Sequence, residues 1–252
     1  MSGHSKWASI KHKKAVTDAR RGQQFTKLAR AITVAAREGG GDPDANYTLA
    51  AAVQKARDFS MPKESIQRAI ERGSGTGDAG EAIQRAVYEG YGPGGAAILV
   101  EGLTDNRNRT GSDVRHLFDK HGGSLGEPGS VAWVFEKRGV VLVDADRYSE
   151  EDLIPAIDAG AEDVTADGNS LKVLSAAQGL EAVREALEKA DVDIESAEIS
   201  MEPKSVVEVV DPGDAARLVR LMDALDEHDD IEAVHANFDV PAELLERAEA
   251  AT

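Results

Sequence analysis

Residues 140–199 carry the pattern that most restricts the fold. Apolar runs at 140–143, 163–166, 171–174 and 194–199 alternate with helical stretches at 149–159 and 176–189. Ser149-Glu150-Glu151-Asp152 is a capping box that opens the first helix. Asp167-Gly168-Asn169 is a turn signal between the second and third strands. The resulting order, βαββαβ, is that of a ferredoxin-like α/β unit.

Elements that do not complete a sheet flank this unit on both sides. A hairpin is predicted from strands at 84–91 and 96–104, followed by a helix that ends at Gly122-Gly123 and a strand at 131–135. After the unit come a strand at 205–209, a helix from Asp211-Pro212 and a strand at 234–240. Strand, helix and strand do not form a stable sheet alone. We therefore expect one discontinuous α/β domain, residues 78–136 plus 204–252, with residues 137–203 inserted.

The chain before residue 78 is predicted to be helical. Phe25, Leu28 and Ile32 recur at helical spacing from Gln23 onward, and Gly39-Gly40-Gly41 ends that helix. Two shorter helices follow, at 46–59 and from Pro62 to residue 73. The Gly/Ser-rich residues 73–77 lack both the Lys-Ser/Thr and the preceding strand of a phosphate loop, so they are interpreted as a linker. The predicted fold class is thus α+β, with a flexible basic arm at 1–22, a small helical bundle at 23–77 and two α/β domains. Helix within the arm is an open alternative around Ala15–Arg20, and Arg21-Gly22 is interpreted as the break that ends the arm.

Composition excludes several classes of protein. The 252 residues contain no cysteine, which rules out disulfide scaffolds and thiolate metal sites. No stretch of about 18 apolar residues exists, so we expect a soluble cytoplasmic protein with no membrane partner. The six histidines show no metal-ligand spacing, and no nucleophile or phosphate-transfer motif is present. We therefore expect no metal, no cofactor, no small-molecule substrate and no enzymatic activity, and we expect a monomer.

Charge is distributed very unevenly. The first thirty residues hold eight Lys and Arg and one acid, Asp18, for a net +7, within a chain whose net charge is −17. The other 222 residues therefore carry −24. Dense Lys and Arg attract phosphate backbones, which predicts a nucleic-acid partner. The alternatives are a solvated arm without a partner and, for the acidic body, either solubility or an acidic binding face.

The candidate binding residues follow from this charge pattern. Trp7, among cations, can stack on an unpaired base or can pin the arm to the body. Arg107 and Arg109 begin a helix whose first amides favour anions, or they pair with acids of the body. The glycine-rich loop of Tyr91, Gly92, Pro93 and Gly94 is either a plain hairpin turn or a contact surface. The full predicted nucleic-acid set is Lys6, Trp7, Lys11, His12, Lys13, Lys14, Arg20, Arg21, Lys27, Arg30, Arg37, Arg107 and Arg109.

Five segments in order resemble the YebC family, whose mitochondrial members include the translational activator of cytochrome c oxidase. They are GHSKWASIKHKKAVTDARRGQQFTKLAR, AAREGGGDPDAN, SMPKESIQRAI, YEGYGPGGAAILVEGLTDNRNRT and GGSLGEPGSVAWVF. The resemblance implies a three-domain α/β protein with a helical first domain and no cofactor. It also implies a DNA-binding transcriptional regulator or, by relation to other members, a translation factor at the ribosome.

Three functional hypotheses follow. The first is a regulatory, DNA-binding transcription factor that uses the basic arm and the first helical domain. The second is a ribosome-associated translation factor that binds ribosomal RNA and assists elongation through difficult peptide sequences. An acidic body with an extended cationic arm is also suited to binding a folded RNA particle. The third, a scaffold that binds proteins only, leaves the basic arm unexplained.

Overall fold

A computed structural model of the chain describes residues 18–75, 83–241 and 244. In chain order the regular elements are α1 (Asp18–Gly39), α2 (Tyr47–Asp58), α3 (Lys63–Gly73), β1 (Gln84–Tyr91), β2 (Ala97–Thr104), α4 (Arg107–Lys120), β3 (Ser124–Leu125), β4 (Phe135–Asp144), α5 (Ile154–Asp158), β5 (Ala161–Asp167), β6 (Ser170–Ala176), α6 (Leu180–Lys189), β7 (Ile194–Pro203), β8 (Val207–Glu208), α7 (Pro212–Asp226), β9 (Ile231–Ala236) and β10 (Phe238–Asp239).

The helices α1, α2 and α3 pack into a small bundle, which we call the helical domain. Leu28, Ile32, Leu49, Val53 and Ile66 are buried in its core. Asn46 caps α2, because its Oδ1 accepts the amide of Leu49 and its Nδ2 donates to two carbonyls at the end of α1. The apolar periodicity predicted this core.

The first helix begins earlier than the sequence suggests. The predicted start at Gln23, with a break at Arg21-Gly22, is wrong, since α1 starts at Asp18 and continues through Gly22. Glycine in a helix interior costs only about 1 kcal/mol, and the residues around it form helix well. Residues 18–22 of the predicted arm therefore belong to α1.

One sheet is built from two distant parts of the chain. Its strand order is β3-β1-β2-β9, so a strand from beyond residue 230 pairs with the hairpin of β1 and β2. The helices α4 and α7 contribute to its core through Val114, Phe118, Leu218 and Met222. We call this unit, with β8 and β10, the split domain.

The inserted unit has the predicted βαββαβ order. Its strand order is β5-β6-β4-β7, and every pairing in it is antiparallel. The Ser149–Asp152 capping box is present and opens a short 3-10 turn that leads into α5. Val141, Leu153, Val173, Val183 and Leu187 are buried between the sheet and its helices. We call this unit the ferredoxin-like domain.

The strand predicted at 131–135 is wrong, and a buried carboxylate explains why. The Oε atoms of Glu89 accept the amides of Gly129 at 2.7 Å, of Val131 at 2.8 Å and of Ala132 at 2.8 Å. Amides held by a side chain cannot join a strand ladder, so residues 132–134 form a 3-10 turn and β4 begins at Phe135. Although burial opposes ionisation, these three amides lower the pKa of Glu89.

The last strands also differ from their predicted bounds. Within 205–209 only Val207–Glu208 pairs as a strand, and within 234–240 the chain switches partner. The side chain of Asn237 accepts the amide of Ala97 at 2.7 Å, which ends the pairing of β9 with β2. After Asn237 the chain pairs in parallel with β8 instead.

The predicted α+β class is confirmed, with a helical region followed by two sheet-containing domains. The division of the chain at residues 22, 77, 136 and 203 stays an interpretation of these elements.

Candidate nucleic-acid interface

Part of the predicted binding set lies outside the described residues. This applies to Lys6, Trp7, Lys11, His12, Lys13 and Lys14. Arg20 and Arg21 belong to α1, but their side chains are not among those described. The other predicted cations can be placed.

Lys27 and Arg30 face the split domain. Lys27 Nζ donates to the carbonyl oxygen of Asp226 at 2.7 Å, and Arg30 NH1 donates to Asp230 Oδ1 at 3.2 Å. One turn earlier on α1, Gln23 Nε2 donates to Asp229 Oδ1 at 2.6 Å. These contacts fix α1 on residues 226–230, which we call the acidic turn. The face predicted to meet phosphate therefore meets carbonyls and carboxylates of the protein's own body.

Asp230 joins two of the predicted cations in one cluster. Its side chain is only 5% exposed, and its Oδ2 accepts from Arg109 NH2 at 2.7 Å and from Thr110 Oγ1 at 2.7 Å. Arg30 approaches the other oxygen. Burial opposes the charge, but the hydrogen bonds from Arg109 and Thr110 and the nearby positive charge lower the pKa of Asp230.

Arg37, Arg107 and Arg109 have different surroundings. Arg37 NH1 donates to the carbonyl of Ile83 at 2.8 Å. Arg109 also pairs with Asp105 at 2.9 Å. Of its two predicted roles, the observed contacts are therefore those of pairing with acids of the body. Arg107 is exposed, and its carbonyl accepts the hydroxyl of Tyr88 at 3.4 Å.

The glycine-rich loop packs against its own domain. A side chain at Gly92 would lie 2.8 Å from Ile98 and from Leu218, and Gly94, at φ 73°, lies against Val209. Pro93 is buried. The hydroxyl of Tyr91 donates to the carbonyl of Ser130 at 3.0 Å while its side chain stays 41% exposed. These contacts are those of a hairpin connection, and of the four loop residues Tyr91 is the one with a large exposed side chain.

A cleft between α1 and α3 brings Arg30 together with two arginines that are outside the predicted set, Arg68 and Arg72. It has a volume of about 420 Å³, and the residues that line it include Phe25, Arg30, Met61, Ser65, Arg68 and Arg72. Among the described residues, none that lines it is acidic. We call it the basic cleft. The spacing of Arg68 and Arg72 on α3 is visible in the sequence, but their position opposite Arg30 depends on helix packing.

Neither a metal-binding cluster nor a membrane-spanning helix is present in the part of the chain that the structure describes. Its His, Asp and Glu side chains form no group of three or more that could hold a metal ion. No helix there is long and apolar enough to cross a bilayer.

Family models match both parts of the chain. The model described as the N-terminal domain of TACO1/YebC proteins matches residues 5–76, and the model of their second and third domains matches residues 83–238. The chain belongs to the TACO1/YebC family. The resemblance seen in the five sequence segments is thereby confirmed.

Close relatives of this TACO1/YebC chain align over almost its whole length. One from Rubrobacter xylanophilus is 55% identical over 246 residues, covering 97% of this chain and 98% of that protein. One from Beutenbergia cavernae is 52% identical over 247 residues, covering 97% and 98%. Both are named "Probable transcriptional regulatory protein".

A solved structure shares the fold. The crystal structure of a conserved hypothetical protein from Aquifex aeolicus is 46% identical to this chain and aligns with a TM-score of 0.84. The alignment covers 95% of this chain and 99% of that one. The fold of this chain is therefore shared by a solved structure.

Proposed function

We propose that this protein is a regulatory protein without enzymatic activity, which binds nucleic acid through residues 2–30 and the helical domain. The observation that carries the proposal is the separation of charge: residues 1–72 hold 14 Lys and Arg against 7 acids, while the rest of the chain carries −24. A polyanion is attracted to the first region and repelled by the second, which fixes the orientation of binding.

Control of transcription through DNA is the first role we propose. The names of the relatives support it. In this role the contacts to phosphate come mainly from the cations before Asp18, since Lys27, Arg30 and Arg109 already have protein partners. Such contacts give affinity but no base reading.

A ribosome-associated role in translation is the second candidate, and one observation favours it. The exposed arginines of α3 border a cleft, whereas a duplex-reading helix places a row of base-contacting side chains in the major groove. The acidic body also disfavours lying along an extended duplex. A folded RNA that offers unpaired nucleotides suits a cleft and a basic segment better.

Removal of residues 2–17 tests whether the protein binds nucleic acid as proposed. This deletion leaves α1 intact and removes Lys6, Lys11, Lys13 and Lys14. We expect the slope of log affinity against log salt concentration to fall by about 3, since each phosphate contact contributes about 0.7–0.9. An unchanged slope, measured by fluorescence anisotropy on labelled RNA and DNA, contradicts the proposal.

Fractionation of cell extracts on sucrose gradients separates the two roles. Migration of the full chain with ribosomal particles, lost when Lys11, Lys13 and Lys14 are replaced by Gln, is the result expected of a translation factor. Selective recovery of promoter fragments at physiological salt, with no ribosomal association, is the result expected of a transcription factor.

A further inference from the structure

The basic cleft combines fixed cations with an apolar wall. Arg68 and Arg72 lie one turn apart on α3, and Arg30 lies opposite on α1. Arg68 is held by the carbonyl of Glu64 at 3.3 Å and by Ser65 Oγ at 3.2 Å, so its guanidinium is oriented before any ligand arrives. Preorganised guanidinium groups suit phosphate oxygens.

The charge of the cleft is not cancelled by its own lining. Arg30 is paired with Asp230, which lies behind it in the split domain. Arg68 and Arg72 are both exposed, and among the described residues no carboxylate lines the cleft beside them. In a protein with 46 acids and 29 Lys and Arg, this leaves about two positive charges open to a ligand.

The apolar wall can accept a flat group. Phe25 is half-buried on α1, Met61 is 7% exposed and packs in the helical core, and Ile83 also lines the cleft. Ser65 and Thr26, which carry hydroxyl groups, also line the cleft. Aromatic side chains stack on bases of any sequence, because every base presents a π-face.

We propose that the basic cleft binds one unpaired nucleotide of a single strand, with its phosphate on Arg68 and Arg72 and its base against Phe25. This inference rests on the proposed function and deepens it. A volume of about 420 Å³ lies within the range of small-ligand sites, which is roughly 300–1,000 Å³. A base inside a duplex cannot enter, since its faces are covered by its stacked neighbours.

A pair of double variants tests the site in the full-length chain. R68Q/R72Q removes two exposed charges at the cleft, and R115Q/K120Q removes two exposed charges on α4, outside the helical domain. The probe is a fluorescein-labelled single-stranded 12-mer RNA. We expect R68Q/R72Q to weaken its binding at least ten-fold and R115Q/K120Q to weaken it less than two-fold. Equal losses in both variants, or no loss in R68Q/R72Q, overturn the proposal.

The stacking part of the proposal has its own variant. F25L keeps an apolar side chain in the core but removes the ring, and we expect it to weaken single-strand binding about ten-fold. Binding of a 12-bp duplex is expected to be the same in F25L and wild type. Equal loss of single-strand and duplex binding overturns the stacking role. A thermal melt of F25L shows whether the helical domain remains folded.

Competition by a free nucleotide identifies the source of the ligand. Uridine monophosphate is expected to displace the 12-mer only at concentrations far above the dissociation constant of the 12-mer. Equal affinity for the free nucleotide and the strand overturns the single-strand site.

If R68Q/R72Q binds normally while deletion of residues 2–17 abolishes binding, the cleft proposal fails and the proposed function stands. If the wild-type chain binds no nucleic acid at all, the proposed function itself fails.

Discussion

At the scale of single residues, buried carboxylates organise the connections of this chain. Asp230 gathers Arg30 and Arg109, which lie 200 and 121 positions away in the sequence. The charge pattern of the sequence indicates both arginines as candidates and leaves pairing with an acid open for Arg109. It could not select Asp230 among 46 acids, because the partner is set by the packing of three distant elements. The same holds for Glu89 and the amides of residues 129–132.

Replacing Asp230 by Asn tests the cluster. Asn keeps the shape but loses the charge that Arg30, Arg109 and Thr110 share, so we expect the free energy of unfolding to fall by about 2–3 kcal/mol. Urea denaturation at pH 7 measures it. Asp119→Asn, at an exposed aspartate of α4 in the same domain, is the control and should change it by less than about 0.5 kcal/mol.

The effect of Asp230→Asn depends on pH in a defined direction. The pKa of Asp230 is lowered in the folded state, so its contribution is fully present above about pH 4, the ordinary carboxyl range. It is lost as the pH falls through the lower folded-state pKa. The difference between wild type and Asp230→Asn should therefore shrink below pH 4, and a difference that grows there would contradict the assignment.

At the scale of elements, patterns of spacing predicted most of what is observed. The βαββαβ unit, its capping box, the hairpin and the apolar face of α1 all follow from local periodicity and turn residues. The errors occur where a distant group changes local geometry. Glu89 turns residues 132–134 into a 3-10 turn, and Asn237 ends the pairing of β9. The basic cleft was missed because it lies between two helices.

Two glycines of the helical domain should respond in opposite ways to alanine. At Gly73 a methyl group would lie 2.3 Å from the carbonyl oxygen of Thr33 and 2.7 Å from Ala36 Cβ, because α1 and α3 touch there. We expect Gly73→Ala to destabilise the domain by about 1–3 kcal/mol. At Gly22, inside α1, no other group lies within 4 Å, so Gly22→Ala should stabilise it by about 0.5–1 kcal/mol.

Thermal melts followed by circular dichroism compare the two glycine variants with wild type. A lowered midpoint for Gly73→Ala and a raised one for Gly22→Ala are expected. Unchanged stability of Gly73→Ala would contradict the close contact of α1 with α3.

At the scale of the whole molecule, a group of charges joins the three domains. Lys55 on α2 contacts Glu198 on β7 at 2.5 Å. Beside them, His235 on β9 lies 3.4 Å from Ser200 Oγ and 3.3 Å from Glu101 Oε2. Together with the contacts of Lys27 and Arg30 to the acidic turn, these charges place the helical domain in contact with both sheet domains.

Lys55→Met tests the contact of Lys55 with Glu198. Both partners are about one-third exposed, so we expect a modest loss of about 1 kcal/mol, compared with little change in Lys189→Met at an exposed pair. The attraction of Glu198, opposed by burial, raises the pKa of Lys55. The contribution of Lys55 to the free energy of unfolding is therefore fully present below the ordinary Lys pKa, near 10.4, and is lost only as the pH rises through the raised folded-state pKa. Urea denaturation should give the same loss at pH 6 and pH 9; a loss confined to one of them would contradict this assignment.

The central claim is that residues 2–30 and the basic cleft of this otherwise acidic protein bind nucleic acid. Photo-cross-linking of the full chain to bound RNA or DNA, with the linked peptides mapped by mass spectrometry, tests it most directly. We predict cross-links within residues 2–30 and at the basic cleft, at Phe25 and on α3, and few in the ferredoxin-like domain. Cross-links concentrated in the ferredoxin-like domain, or spread evenly over all three domains, would contradict it.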